Sequence, residues 1–236
     1  MKRTLQIAID GPVSAGKGTV SKIVAERLKF LYVDTGAMYR ATALLAKQHN
    51  LEVEDLPKNI EKLLQVLQSS TLSLRKPHLA EQDGRLITVL LNGEDVSWEI
   101  RTPDISKGAS FVSKFAEIRE LLVEKQQQIA KTQNVVMEGR DITFKVLPDA
   151  QLKIYLDAKL EIRAERRHQE YLSKGLDLTL DQVAEEIRKR DDQDMNREVD
   201  PLHIASDAWV LDTSDLTIDE VVNMIENKAR SLLESM

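Results

Sequence analysis

The fold turns on one stretch, Ile9-Asp10-Gly11-Pro12-Val13-Ser14-Ala15-Gly16-Lys17-Gly18-Thr19. Gly11 to Lys17 match the pattern G-x-x-x-x-G-K. Before it runs the apolar segment Leu5 to Ile9, which stops at Asp10-Gly11-Pro12 as a buried strand stops at a loop. After it, Val20, Ile23, Val24 and Leu28 share one helical face. A strand, a glycine loop and a helix in that order form a phosphate cradle: glycines let backbone N–H groups turn inward, and the helix N-terminus adds partial positive charge. Lys17 then reaches the β and γ phosphates of a nucleotide. Gly11, Pro12, Val13, Ser14, Ala15, Gly16, Lys17, Gly18 and Thr19 are therefore the candidate ATP-binding residues, with Lys17 also catalytic. The slot after the lysine holds Gly18, and the hydroxyl comes one place later at Thr19, which points away from GTPases and toward kinases of small molecules. The guanine-reading pattern N-K-x-D does not occur.

Working outward, Phe30 to Val33 reads as a second strand and Thr35 to Lys47 as a second helix, so the chain opens in the β-α-β-α rhythm of a parallel sheet. The texture changes between about residues 52 and 101. A helix near Lys58 to Leu67 is followed by short alternating segments at Thr71 to Leu74 and Leu86 to Leu91, with turn pairs Asp83-Gly84 and Asn92-Gly93. Such hairpin signals predict a small inserted subdomain. Thr102-Pro103 predicts an N-cap and a single helix running to about Lys131. Asn134 to Met137, Leu152 to Leu156 and Ala208 to Leu211 complete five parallel strands, and capping boxes at Thr179–Gln182 and Thr217–Glu220 open the last two helices. The expected fold is α/β: a five-stranded parallel sheet flanked by helices, one kinase domain over 1–236 with an insert at 52–101.

Composition excludes several classes. Hydrophobic residues at 42% and charged residues at 31% suit an ordinary folded protein. Charged residues interrupt every apolar segment before it could cross a membrane. Absence of cysteine removes thiolate zinc sites and cysteine nucleophiles and accords with the cytoplasm. A net charge of −6 argues against a nucleic acid partner. His49, His78, His168 and His203 have no metal-ligand spacing, so magnesium is expected to arrive with ATP.

The second clue is arginine. Phosphoryl transfer to a phosphate acceptor crowds anionic oxygens together, and catalysis there is largely positioning and neutralisation. Arg40 follows Asp34-Thr35-Gly36 at one strand's carboxyl end, and Arg140-Asp141 follows Glu138-Gly139 at another, the edge where open α/β sheets bind ligands. Arg163 and Arg167 lie four apart on a helix, as do Arg190 and Asp194, with Arg197 three further on. Beside a phosphate loop, these residues favour a nucleotide kinase. A kinase of another small acceptor such as UMP, AMP or shikimate remains open, as does a regulatory ATP-binding module.

These residues resemble the bacterial cytidylate kinases over nearly the whole chain. The marks are IDGPVSAGKGT at 9–19, DTGAMYR at 34–40, LNGEDVSWEIRTPDISKGAS at 91–110, EGRD at 138–141, PDAQLKIYLDA at 148–158, RAERR at 163–167 and RDDQDMNR at 190–197. The resemblance implies ATP- and magnesium-dependent phosphorylation of CMP and dCMP, with a CMP-binding insert and a mobile lid at 160–200; a monomer is expected. It further implies that Ser110, Arg119 and Asp141 contact cytosine and that Arg190 and Asp194 hold the sugar. Thr35, Arg40, Arg140 and Arg197 would hold the acceptor phosphate, with Arg140 and Arg197 also catalytic, and Arg163 and Arg167 would approach ATP from the lid. The chain departs from the family where Ile-Gly-Thr-Val usually follows Gly-Arg-Asp: Ile142 is followed here by Thr143, Phe144 and Lys145. A glycine there at positive φ would make Thr143 a strained substitute. Gln193 and Met195 also stand where relatives often carry basic residues.

Overall fold

A computed structural model describes residues 4–51, 55–81 and 83–235. The chain divides into two compact units, one made of the segment up to Phe30 together with Val135 onward, the other of Leu31–Asn134.

The first unit holds β1 (Gln6–Asp10), α1 (Lys17–Leu28), β6 (Val135–Gly139), β7 (Leu152–Asp157), α6 (Leu160–Ser173), α7 (Leu180–Asn196), β8 (Trp209–Asp212) and α8 (Ile218–Ser235). β1 is central and pairs in parallel with β6 on one side, Ile7 opposite Val136, and with β7 on the other, Ile9 opposite Ile154. β7 in turn pairs in parallel with β8. Burial on both faces explains the continuous apolar runs: Ile7, Ala8, Ile9, Val135, Val136, Met137, Ile154 and Leu156 are all fully covered. Both capping boxes form. Thr179 and Gln182 exchange backbone and side-chain hydrogen bonds at the start of α7, and Thr217 and Glu220 do so before α8.

The second unit holds β2 (Leu31–Asp34), α2 (Thr35–Gln48), α3 (Leu56–Ser69), β3 (Leu72–Arg75), β4 (Thr88–Leu91), the two-residue β5 (Glu94–Asp95), α4 (Pro103–Val112) and α5 (Ala116–Thr132). β3, β4 and β5 form an antiparallel sheet, turned at Asn92-Gly93, both at positive φ. The larger sheet has the order β2-β6-β1-β7-β8, the five-stranded sheet anticipated from the sequence.

The expected single helix from 103 to 131 is instead two, broken over Ser113-Lys114-Phe115. Thr102 occupies the N-cap position but makes no side-chain cap; its hydroxyl donates to the Glu99 carbonyl. A further element escaped the periodicity, a single π turn at Ile142–Val146 directly after Arg140-Asp141. Among the described residues, no helix is long and apolar enough to cross a membrane.

Candidate active site

The phosphate loop belongs to the first unit, and its shape follows from its glycines. Gly11, at φ +152°, lies so near β7 that an added Cβ would stand 2.0 Å from the Leu156 carbonyl oxygen. Gly16, at φ +89°, caps α1 without a side-chain bond to the helix's first N–H groups. Lys17 begins that helix, buried, and its Nζ donates to the Gly11 and Pro12 carbonyls at 2.8 and 2.7 Å. Burial first, and the nearby Arg140 second, bring its pKa down to about 7, while Glu138, Asp194 and Asp10 oppose that fall. Thr19 is exposed on the first turn of α1.

α6 and α7 grip the same loop. Arg163 forms a 2.5 Å ion pair with Asp191, and its Nη1 also donates to the Val13 carbonyl at 3.0 Å. The other Asp191 oxygen accepts the Val13 N–H at 3.0 Å. Both polar backbone groups of one loop residue are thereby held by two helices, and the Val13 side chain packs on the Ala164, Val183 and Ile187 cluster between them. Arg167 turns instead to its own helix, donating to Glu170 at 2.8 Å and lying over the Tyr171 ring at 4.6 Å.

The third group gathers after β6. Arg140 Nε donates to Asp194 at 2.7 Å, and Arg190 Nε reaches the same oxygen at 3.5 Å. Burial works against the Asp194 carboxylate, but Arg140 and then Arg190 outweigh it and hold its pKa below the ordinary value. Arg197 Nη2 stands 4.0 Å from Asp141, and its Nε donates to the Asp200 carbonyl at 2.8 Å. Arg140, Asp141, Arg190, Asp194 and Arg197 are thus one charge network. Behind it, Thr143 is not among the described residues with positive φ, so the feared strain does not arise.

In the second unit Asp34 caps α2 through the Ala37 N–H and accepts from Arg40 at 2.6 Å. Burial would raise the Asp34 pKa, yet the Arg40 and Arg101 guanidiniums hold it low. Among the described residues, Arg40 Nε and Arg101 Nη2 are buried donors with no hydrogen-bond partner. Thr35 is buried at the first position of α2. Arg119, 1% exposed, stacks 5.7 Å over the Tyr39 ring and donates weakly to the Ser113 carbonyl. Ser110 donates to Ser106 within α4, and its carbonyl accepts from Ser113.

Comparison with known proteins decides what this arrangement belongs to. The family model described as cytidylate kinase matches residues 7–231.

The chain belongs to the cytidylate kinase family.

The cytidylate kinase of Bacillus cytotoxicus is 47% identical over 225 residues, covering 95% of this chain and 96% of that one. That of Caldanaerobacter subterraneus is 48% identical over 227 residues, covering 96% and 95%. Among solved structures, shikimate kinase from Bacteroides thetaiotaomicron aligns at a TM-score of 0.46 and 13% identity, covering 96% of this chain and 98% of that chain.

Three residues of this family member escaped the sequence reading. Asp191 sits between Arg190 and Asp194 in RDDQD, where nothing in its spacing sets it apart from the other charges of that helix. Arg101 lies inside the family mark at 91–110 but at no strand end. Asp10 ends the first apolar run, where the sequence carries no sign of donors more than a hundred positions away.

Proposed function

We propose that this cytidylate kinase family member transfers the γ-phosphoryl group of ATP to CMP or dCMP, working as a monomer in the cytoplasm. An oxygen of the acceptor phosphate attacks the γ-phosphorus, the bond to the β–γ bridging oxygen breaks, and ADP and a cytidine diphosphate result. Family membership over residues 7–231 carries the assignment. The supply of arginines supports it, since an ATP site alone has no use for a second set of guanidiniums.

In this reaction the loop from Gly11 to Thr19 cradles ATP phosphates and Lys17 neutralises charge on the group in transit. Arg163 and Arg167, on the 160–200 lid, serve the ATP side. Arg140, Arg197, Arg40, Thr35 and Arg101 hold the acceptor phosphate. The unpartnered donors of Arg40 and Arg101 favour adding Arg101 to the set read from sequence. That phosphate has a second pKa of about 6 and is already mostly dianionic at neutral pH, so no strong general base is required. Arg190 and Asp194 take the sugar. Asp141 accepts from the exocyclic amine of cytosine, while Arg119 and Ser110 donate to its acceptor atoms.

Magnesium fits as a companion of the nucleotide. The ion would be held mainly by the nucleotide's phosphates and by water, with the phosphates themselves held by the loop from Gly11 to Thr19. The ion supplies neutralisation of the β and γ oxygens.

The deciding experiment measures ADP formation with magnesium and ATP against CMP, dCMP, UMP and AMP. Uracil sets a carbonyl against Asp141 and an N–H against a donor. Two such mismatches, each costing about 1–3 kcal/mol, should make kcat/KM for CMP exceed that for UMP by about tenfold or more. Equal use of UMP would overturn the cytosine-reading assignment.

A further inference from the structure

Asp10 ends β1 and is wholly covered, at 0% exposure. Its Oδ1 accepts the Ile142 N–H at 2.9 Å, and its Oδ2 accepts both the Thr143 N–H at 2.8 Å and the Thr143 hydroxyl at 2.7 Å. All three donors come from the two residues immediately after Asp141. Burial first, and the facing Asp141 charge after it, push the carboxyl pKa up to about 6, while the bonds from Thr143 and Ile142 pull it down. A chain that only needed to stop a strand would not bury a carboxylate to do so.

Acceptor chemistry explains the choice. Two backbone N–H groups address opposite oxygens of one side chain, and a carboxylate can accept at both. An amide cannot: whichever way it is turned, its NH2 faces one of the two N–H groups. The Thr143 hydroxyl supplies the third bond, and a glycine at that position has no counterpart for it. The bonds fix the backbone at the entry to the π turn, whose first hydrogen bonds run from the Lys145 and Val146 N–H groups to the Asp141 carbonyl. Asp141 is thus held by its own backbone on one side and anchored through Ile142 and Thr143 on the other, with its carboxylate 4.0 Å from Arg197.

We propose that Asp10, acting through the Ile142 and Thr143 backbone and the Thr143 hydroxyl, is a positioning residue for base selection: it sets where the Asp141 carboxylate stands. The inference rests on Asp141 being the cytosine acceptor. It makes Thr143 a working part of this chain's base selection, through a bond that glycine could not form.

The test compares wild type with Thr143→Ser, Thr143→Ala and Asp10→Asn, measuring kcat and KM for CMP and UMP, KM for ATP, and thermal melting. Thr143→Ser keeps the hydroxyl and should match wild type within about twofold. Thr143→Ala removes one hydrogen bond and should lower the CMP-to-UMP ratio of kcat/KM by about threefold to tenfold, through a higher KM for CMP. KM for ATP should not move. Asp10→Asn should lower the ratio further. A folded Thr143→Ala that keeps the wild-type ratio overturns the proposal, as does a loss shared equally by CMP and UMP with a raised KM for ATP. Should Asp10→Asn fail to fold, the Thr143 pair still decides. A wild type that does not prefer CMP to UMP overturns the Asp141 assignment and this inference with it, and that outcome is read before any variant is made.

Discussion

Lys17 sits under opposing fields. Its pKa of about 7 means that near neutrality it is only partly charged, and phosphate oxygens arriving beside it restore the proton. ATP binding at pH 7.5 should therefore take up protons, seen by calorimetry as a dependence of the binding enthalpy on the buffer's ionisation enthalpy; no such dependence would mean that the lysine is already charged. The stability effect has a definite sign. The folded pKa lies below the ordinary lysine value of 10.5, so the unfolded chain holds more protons between about pH 7 and 10.5 and this group makes stability rise with pH there. Asp10 acts oppositely: its folded pKa of about 6 exceeds 3.8, so its contribution falls as pH rises across that interval. Lys17→Met should lower kcat by about a hundredfold or more, by analogy with removing one preorganised donor. Arg101→Ala should raise KM for CMP by about tenfold or more, the loss of a charged hydrogen bond, with kcat/KM showing whether the residue acts on the acceptor. Lys17 was legible from the sequence because its spacing is a motif. Arg101 and Asp191 were not, because their partners, Asp34 and Arg163, lie 67 and 28 positions away in the chain.

Helices and strands were legible where pattern and punctuation agree. The capping boxes before α7 and α8 fell where they were expected because side chain and backbone satisfy each other locally. The break between α4 and α5 carries neither glycine nor proline, and apolar residues continue through it. Phe111 and Phe115 meet edge to face at 5.5 Å across the break, so the residues that prolong the helical pattern are those that pack the bend. The π turn was equally hidden, since the carboxylate that holds its first two residues, Asp10, lies more than a hundred positions away. Where α6 and α7 meet the phosphate loop, the Arg163–Asp191 pair is the joint. Asp191→Ala would leave a buried guanidinium unpaired, and should cost about 3–5 kcal/mol in denaturant unfolding. Gly11→Ala should disturb the loop whatever else is preserved, because a Cβ there meets backbone at 2.0 Å; a variant with unchanged ATP affinity would contradict that geometry.

The whole chain is expected to respond to its substrates mainly through residues 160–200. Hydrogen exchange in α6 and α7 should slow when ATP and CMP, or a bisubstrate analogue, bind together, because closure shields the γ-phosphate from water. Unchanged exchange there would remove the lid from the mechanism. The first unit's discontinuity has a separate consequence, in the order of synthesis. β1 is made first, yet both strands that flank it, β6 and β7, come after residue 134. At about 5–20 residues per second, the ribosome delivers β6 some 6–25 seconds after β1. For that interval the strand bearing the phosphate loop has no native neighbour in its sheet, and β2 at the sheet's edge waits for the same β6, while the antiparallel sheet of β3, β4 and β5 already has all its strands. Ribosome-bound chains stalled so that residue 134 has just left the exit tunnel should accordingly show a protease-sensitive β1 and phosphate loop, which should gain protection only once β6 and β7 have emerged.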